Sequence, residues 1–395
     1  MRKYDFDAPV DRRGTDSIKW EVDKNELPMW VADMDFRAAP PILGAIERKL
    51  RHGVFGYSDI TPDWYEAYIN WWKERHGLEM KKEGLIFCTG VVPAISSIVR
   101  KLTSPNENVL ILTPVYNVFY NSIVNSGRRV LECPLIYDGE KYEIDFHDLD
   151  RKIADPQTTL MILCNPHNPV GKIWPGGDLM KIGQLAAYHH VTVISDEIHC
   201  DITVPGKRYI PFAAVSDLCL KNSITCIAPT KAFNLAGLQT SAVYVHDRFL
   251  RHKVWRALNT DEVAEPNAFA VPAAVAAFNE GEEWLDEMRE YVFANRKRVE
   301  EYIAAEIPGL KAVRGEATYL VWIDASELLS RHAVPSEDAN LAAYIRRATG
   351  LYVNDGRAYG EAGKDFLRLN VACPRAHVED GLARLKLAVE TLCKE

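Results

Sequence analysis

No apolar run in this chain of 395 residues is long enough to cross a bilayer, and the opening MRKYDFDAPVDRRG contains none that would serve as a signal peptide. A cytoplasmic protein is expected. Cysteine never falls into a CxxC or Cys/His ligand spacing. The eight cysteines are scattered, and Cys88, Cys164, Cys200 and Cys226 lie in apolar runs, where reduced, buried thiols are the natural reading. Positive charge is not in excess either: a formal net charge of -8 argues against a general affinity for nucleic acid or anionic membranes. Internal repeats and low-complexity tracts are missing. What remains is small-molecule chemistry on an ordinary globular chain, 47% hydrophobic and 26% charged, long enough for a large domain and a smaller one.

The pattern of apolar runs gives the architecture. Residues up to about Pro41 are irregular and carry the aromatic cluster LPMWVADMDF. A helix is expected from Pro41 to Leu50, then a glycine-punctuated loop, GVFGYSD, and a helix whose Trp64, Tyr65, Tyr68, Trp71 and Trp72 place most rings on one buried face. From Gly84 onward strands alternate with helices: GLIFC, NVLIL, RRVLECPL, TTLMILC, VTVIS, SITCIA and TSAVYVH are the strands. Alternation of this kind implies right-handed crossovers and a mostly parallel sheet covered on both faces. Glu282 to about Ile307 keeps helical spacing long enough to bridge two domains, and beyond it ATYLVWID, GLYVND and DFLRLNVA alternate with helical segments. The expected division is an N-terminal arm with part of a small domain over 1–44, a large α/β domain over 45–282 and a small α+β domain over 283–395.

Ligands of an open parallel sheet collect at the carboxyl ends of its strands. GLIFC is followed by Thr89-Gly90-Val91-Val92 opening a helix, whose free N–H groups suit an anion such as phosphate. NVLIL delivers Tyr116, and TLMILC delivers Asn165-Pro166-His167-Asn168-Pro169, a turning backbone that offers amides. VTVIS delivers Asp196-Glu197-Ile198-His199; a solvated edge or a carboxylate paired with a cation both fit, whereas a metal would need a further cluster for these residues to meet, and no metal is expected. SITCIA delivers Thr230 and Lys231, an amine that desolvation makes easier to deprotonate. Anchor, stacking ring, amide donor, carboxylate and amine together are the parts that pyridoxal phosphate (PLP) requires.

NPHNPVG, SDEIHCD and APTKAFNLAGL, with WVADMDF near the start and FLRLN near the end, resemble the fold-type I PLP enzymes of the class I/II aminotransferase superfamily, and within it the MalY/PatB branch of cystathionine β-lyases and C–S lyases. The resemblance implies a mostly parallel, seven-stranded-type PLP-binding sheet flanked by helices. It also implies that Lys231 is the Schiff-base lysine and moves the Cα proton, that Asp196 keeps the pyridine nitrogen protonated, and that Asn168 bonds the phenolate oxygen. Tyr116 becomes the stacking ring; the Val91 and Val92 amides and the Thr230 hydroxyl take the phosphate, and His199 lies among the cofactor-binding positions. Arg368, with Ala32 and Asn168, meets the substrate, its guanidinium fork suiting an α-carboxylate. Tyr57 reaches the phosphate of a neighbouring subunit, which implies a homodimer with shared sites.

Gln239 stands where many aminotransferases carry a phosphate-binding arginine, and His199 where aspartate aminotransferases carry a tyrosine. Both departures favour the lyase branch. The expected function is β-elimination on sulfur amino acids, giving a thiol, pyruvate and ammonia. An aminotransferase using a keto-acid acceptor is the alternative, and a non-catalytic PLP-binding regulator is a third reading, disfavoured because no basic helix-turn-helix stretch precedes the fold.

Overall fold

The computed structural model describes residues 3–394. Its centre is a seven-stranded sheet, ordered Leu85–Cys88, Ser241–Tyr244, Ser223–Ile227, Thr192–Asp196, Thr158–Cys164, Asn108–Thr113, Arg129–Pro134. The pairs on the Thr192–Asp196 side are parallel, and Ser241–Tyr244 runs antiparallel to both of its neighbours. Strict alternation along each strand explains the near-continuous apolar runs. Val109, Ile111, Leu160, Ile162 and Ile194 face one helical layer, while Leu110, Leu112, Met161, Leu163 and Val193 face the other. The Val91–Leu102 helix covers the first face with Val91, Ala94, Ile95, Ile98 and Val99, and Gly176–Tyr188 covers the second with Leu179, Ile182 and Ala186.

That second helix begins at Gly176, directly behind Pro175, on glycines that sequence reading treats as a poor start. A first turn has no intrahelical N–H bonds to lose, so poor formers cost least there.

A long helix, Glu282–Glu306, leads to a four-stranded antiparallel sheet ordered Lys311–Ala312, Leu320–Asp324, Phe366–Asn370, Asn354–Asp355. The N-terminal segment joins this half of the molecule: Leu27–Pro28 pairs in parallel with Leu351–Tyr352, and the Asp35 N–H bonds the Ala372 carbonyl at 2.9 Å. The aromatic helix Pro62–Trp71 buries Trp64, Tyr68 and Trp71 as its spacing predicts. Among the described residues no helix is long and apolar enough to cross a membrane.

Candidate active site

Cys164, Asp196 and Cys226 are cross-strand neighbours, so three parallel strands end at one level and their loops open side by side. Lys231 follows the third strand. Its loop is closed by bonds from Phe233 N to Pro229 O and from Leu235 N to Thr230 O, each 2.9 Å. The amine donates to the Ala32 carbonyl at 2.6 Å. Desolvation, and after it the charge of Arg368, pulls this amine down to about 8 against the opposing pull of Asp33 and Asp196. A sizeable neutral fraction near neutral pH follows, which is the form a nucleophile or base needs.

Asp196 is buried, and the Ile198 N–H donates to its Oδ1 at 3.2 Å. Desolvation raises it to about 7; Glu197 adds to the rise, while the Ile198 N–H and Lys231 oppose it. Among the described residues it has no ion pair. The acid beside it has a different role. Glu197 accepts from Ser195 Oγ at 2.7 Å, Tyr209 Oη at 2.6 Å and Phe212 N at 2.8 Å, with Asn165 Nδ2 at 3.4 Å. The Asp-Glu pair therefore splits into one acid open to a cation and one enclosed by donors. The two asparagines of the preceding loop split likewise: Asn165 also ties to the Ile210 carbonyl at 2.9 Å, while Asn168 accepts from Arg368 Nη1 at 3.2 Å.

Arg368 comes from the small antiparallel sheet, in register with Trp322 and Asn354. Its Nη2 donates to Asn354 Oδ1 at 2.9 Å and to the Trp30 carbonyl at 3.1 Å, and its guanidinium lies 4.8 Å from the Tyr359 ring centroid. Its Nε is buried without an acceptor, and no carboxylate pairs with it among the described residues. A guanidinium held in place by neutral groups, with a donor to spare, is set for an external carboxylate.

Tyr116 and His199 complete the cluster. Tyr116 is pushed up by desolvation and feels both Arg368 and Asp196. His199 is buried with Nδ1 unpaired, and desolvation, then Lys231 and Arg368, drives it down to about 3, so it is a neutral imidazole at physiological pH. The Val31–Asp33 backbone is clamped by Asn370 Nδ2, which donates at 2.6 Å to both the Val31 and the Asp33 carbonyls. Asn234, three residues after Lys231, holds the next stretch through Met34 N, Met34 O and Phe36 O, each at 3.0 Å.

Val91, Val92 and Thr230 are placed by their elements. The first intrahelical bond of Val91–Leu102 is Ala94 N to Gly90 O, and no side chain caps the helix, so the Val91 and Val92 N–H groups have no intrahelical acceptor. Thr230 is buried beside the Lys231 loop. Tyr57 is the residue the chain does not bring here: it is fully exposed in the loop over 53–61. Gln239 is exposed, in a left-handed turn with φ 49°. Sequence reasoning passed over Asn370, Asn234, Asn354, Tyr319 and Tyr359. Asn370 and Asn234 sit inside the motifs FLRLN and APTKAFNLAGL, but their partners lie across the fold, and local pattern carries no trace of them.

The family model described as aminotransferase class I and II matches residues 33–385. The cystathionine β-lyase PatB of Bacillus subtilis is 41% identical over 97% of this chain and 99% of its own length. Cystalysin of Treponema denticola, whose structure contains a pyridoxal 5'-phosphate cofactor, is 30% identical with a TM-score of 0.93 over 98% of this chain and 99% of that one. The PLP-bound C–S lyase of Staphylococcus hominis is 32% identical with a TM-score of 0.91, again over 98% of this chain and 99% of that one. This chain belongs to the class I and II aminotransferase family.

Proposed function

We infer that this protein is a pyridoxal 5'-phosphate-dependent carbon–sulfur lyase, acting on cystathionine or related cysteine S-conjugates to give a thiol, pyruvate and ammonia. One observation carries the reading: Lys231, Asp196 and Arg368 gather around the strand ends, and among the described residues no counter-ion is bonded to any of them. These unmet demands fit the cofactor and its substrate. Asp196 suits a protonated pyridine nitrogen, Asn168 the phenolate oxygen and Tyr116 the ring face. The Val91 and Val92 amides with the Thr230 hydroxyl suit the phosphate, His199 adds a neutral imidazole, and Arg368, beside Asn168 and Ala32, suits the α-carboxylate. The near full-length identity to a cystathionine β-lyase turns this general chemistry toward Cβ–S cleavage.

When bound, the cofactor supplies the electron sink that makes the Cα proton removable. The chain supplies the remainder. Arg368 fixes the carboxylate end of the substrate and so orients Cα–H. Lys231 Nζ, neutral and already within the cleft, takes that proton. The Cβ–S bond then breaks with its electron pair on sulfur, and the protonated Lys231 can return a proton to the leaving thiolate. Hydrolysis of the remaining enamine gives pyruvate and ammonia.

Incubation with L-cystathionine or L-cysteine tests the reading: pyruvate forms without any added keto acid. Product that appears only with a keto-acid acceptor establishes the aminotransferase instead. Binding to random DNA in a gel shift, with no turnover in either assay, would leave the regulator reading standing.

A cytoplasmic homodimer completes the proposal. Leu50, Val54, Phe55 and Tyr57 are apolar or aromatic and exposed around one loop, a surface suited to a second copy that would carry Tyr57 to the neighbouring phosphate. Sizing in solution tests it. The proposed large domain is 45–282 and the small one 283–395, with the arm before them.

A further inference from the structure

The carbonyl that receives Lys231 has a second claimant. Tyr319 Oη donates to Ala32 O at 3.0 Å, and Lys231 Nζ donates to the same oxygen at 2.6 Å. Tyr319 is fully buried and comes from the small antiparallel sheet's half of the molecule, whereas Lys231 comes from the large sheet, so the two donors meet on one oxygen from opposite sides of the cleft.

The hydroxyl is aimed from several directions. Thr318, the residue before it, is buried with φ at +66°, a left-handed backbone that a β-branched residue adopts only when its surroundings hold it there. Its N–H is pinned to the Ile202 carbonyl at 2.7 Å, in the turn that also carries His199. On the other side the Val371 N–H bonds the Tyr319 carbonyl at 2.9 Å. The Tyr319 ring lies edge-on to His199 with centroids 6.1 Å apart, and Asn370 clamps the carbonyls on either side of Ala32. Neither the hydroxyl nor its acceptor is free to drift.

A carbonyl that already accepts one hydrogen bond has less electron density for a second, and an ammonium gains more from that density than a neutral amine does. We propose that Tyr319 is a positioning residue: by sharing the Ala32 carbonyl it weakens the hold on the Lys231 ammonium and keeps the amine as a free base at a fixed point in the cleft. This deepens the lyase reading, yet it concerns the amine itself and holds equally for a transaminase. It also gives the strained Thr318 a purpose, since a relaxed backbone there would turn the hydroxyl away from Ala32.

The test uses full-length Tyr319→Phe, which removes the oxygen and keeps the ring. In cofactor-free protein, the pH midpoint for reaction of Lys231 with an amine-arylating reagent should move upward by about half a unit or more, the size set by one hydrogen bond. In the loaded enzyme kcat should fall roughly threefold at neutral pH for a half-unit shift and recover at higher pH, with KM within about twofold. Tyr319→Met, which fills the space without a hydroxyl, should give the same midpoint shift if the phenylalanine variant folds poorly. A lower melting temperature with an unmoved midpoint and an unaltered kcat–pH profile would make Tyr319 a packing residue and overturn the proposal. Failure of the lyase reading would show separately, as absent pyruvate with the midpoint shift intact.

Discussion

Two groups of charged residues, one within the N-terminal segment and one at the strand ends of the large sheet, could hardly be treated more differently. In the first, Lys19 is 1% exposed and its amine reaches Asp35 at 2.7 Å and Asp33 at 3.5 Å. Arg12 binds the same two acids at 2.8 and 2.7 Å, and the Trp20 indole N–H donates to Asp35 at 2.8 Å. Every charge there is met. In the second, Lys231 has a carbonyl, Asp196 a backbone N–H and Arg368 neutral oxygens. Removing charge from water without a partner is costly, so a chain keeps such groups together only where something else completes them. The contrast teaches that the informative property of this site is not burial or charge but the missing partner.

The comparison breaks most sharply at its two lysines. Lys231→Ala should lower turnover by about 10⁴-fold or more, since it removes the proposed attachment point and base together, and the absorbance of bound cofactor should change with it while the melting temperature holds. Lys19→Ala should do the reverse. It leaves Asp35 buried with one cation fewer and should cost on the order of 3 kcal/mol of stability in urea melts, with kcat unaltered in whatever protein remains folded. Loss of turnover in Lys19→Ala at full stability would show that the first cluster shapes the site.

The arginines give the next largest difference. Arg368→Lys exchanges a two-pronged planar donor for a point charge, and kcat/KM should fall by about 30- to 100-fold, mostly through KM, with little change in melting temperature. Arg296, equally buried, is bonded to Glu300 at 3.1 Å and to the Leu320 and Val313 carbonyls at 2.8 and 3.2 Å. Arg296→Lys should appear in melting temperature first. Steady-state kinetics beside thermal melts of both variants checks the pair.

Acids of opposite behaviour sharpen the comparison further. In Asp35 burial pushes upward, but Lys19 and the hydrogen bonds from Lys19, Trp20 and Arg12 win and hold it below the usual value. Its contribution to stability is present above the unfolded value near 3.8 and is lost as pH falls through the lower folded value. Asp196, raised from 3.8 to about 7, has the opposite sign. The folded, cofactor-free protein holds a proton there that the unfolded chain has released, so this contribution is full below about 3.8 and disappears as pH rises through about 7. Unfolding free energies from urea melts of cofactor-free protein should therefore decline between pH 4 and 7 relative to Asp196→Asn, by up to about 4 kcal/mol. A cation at Asp196 removes the penalty, so saturating cofactor should flatten the difference.

Much of this was legible in the sequence because it is local. Near-continuous apolar runs mark the strands, their order with the helices implies a mostly parallel sheet, and the residues after each run lie at the sheet's carboxyl edge; Asp196, Asn168 and Lys231 are found in that way. Arg368 is not, since a lone arginine inside FLRLN looks like any strand residue until the small sheet carries it across the cleft, and only the family resemblance singles it out. Glu197 and Asn165 show the converse limit. Their neighbours Asp196 and Asn168 have the same chemistry one and three positions away, and only the direction of each side chain, set for Glu197 by long-range packing with Tyr209 and Phe212, decides which of each pair is free. Tyr319 lies in an apolar strand-like run, where a tyrosine reads as core, and nothing local shows that its hydroxyl finds Ala32.

The smallest effect is expected at the hydroxyls. The proposed contribution of Val91 and Val92 to phosphate binding comes from the backbone and no side-chain exchange removes it, so the mutable part of the proposed anchor is the Thr230 hydroxyl. Thr230→Val keeps the shape and deletes one hydrogen bond to an anion, about 1 kcal/mol, which should weaken cofactor binding roughly fivefold in a titration of cofactor-free protein. Thr225, buried five residues earlier in the preceding strand with its Oγ1 unpaired, is the control. Thr225→Val deletes a hydroxyl that nothing binds and should leave affinity untouched while stability stays level or rises. Equal loss of affinity in both would mean that the strand's packing, not the hydroxyl at its end, holds the phosphate. A fivefold loss in Thr230→Val alone would show that even a neutral group here is kept for a partner the chain does not contain.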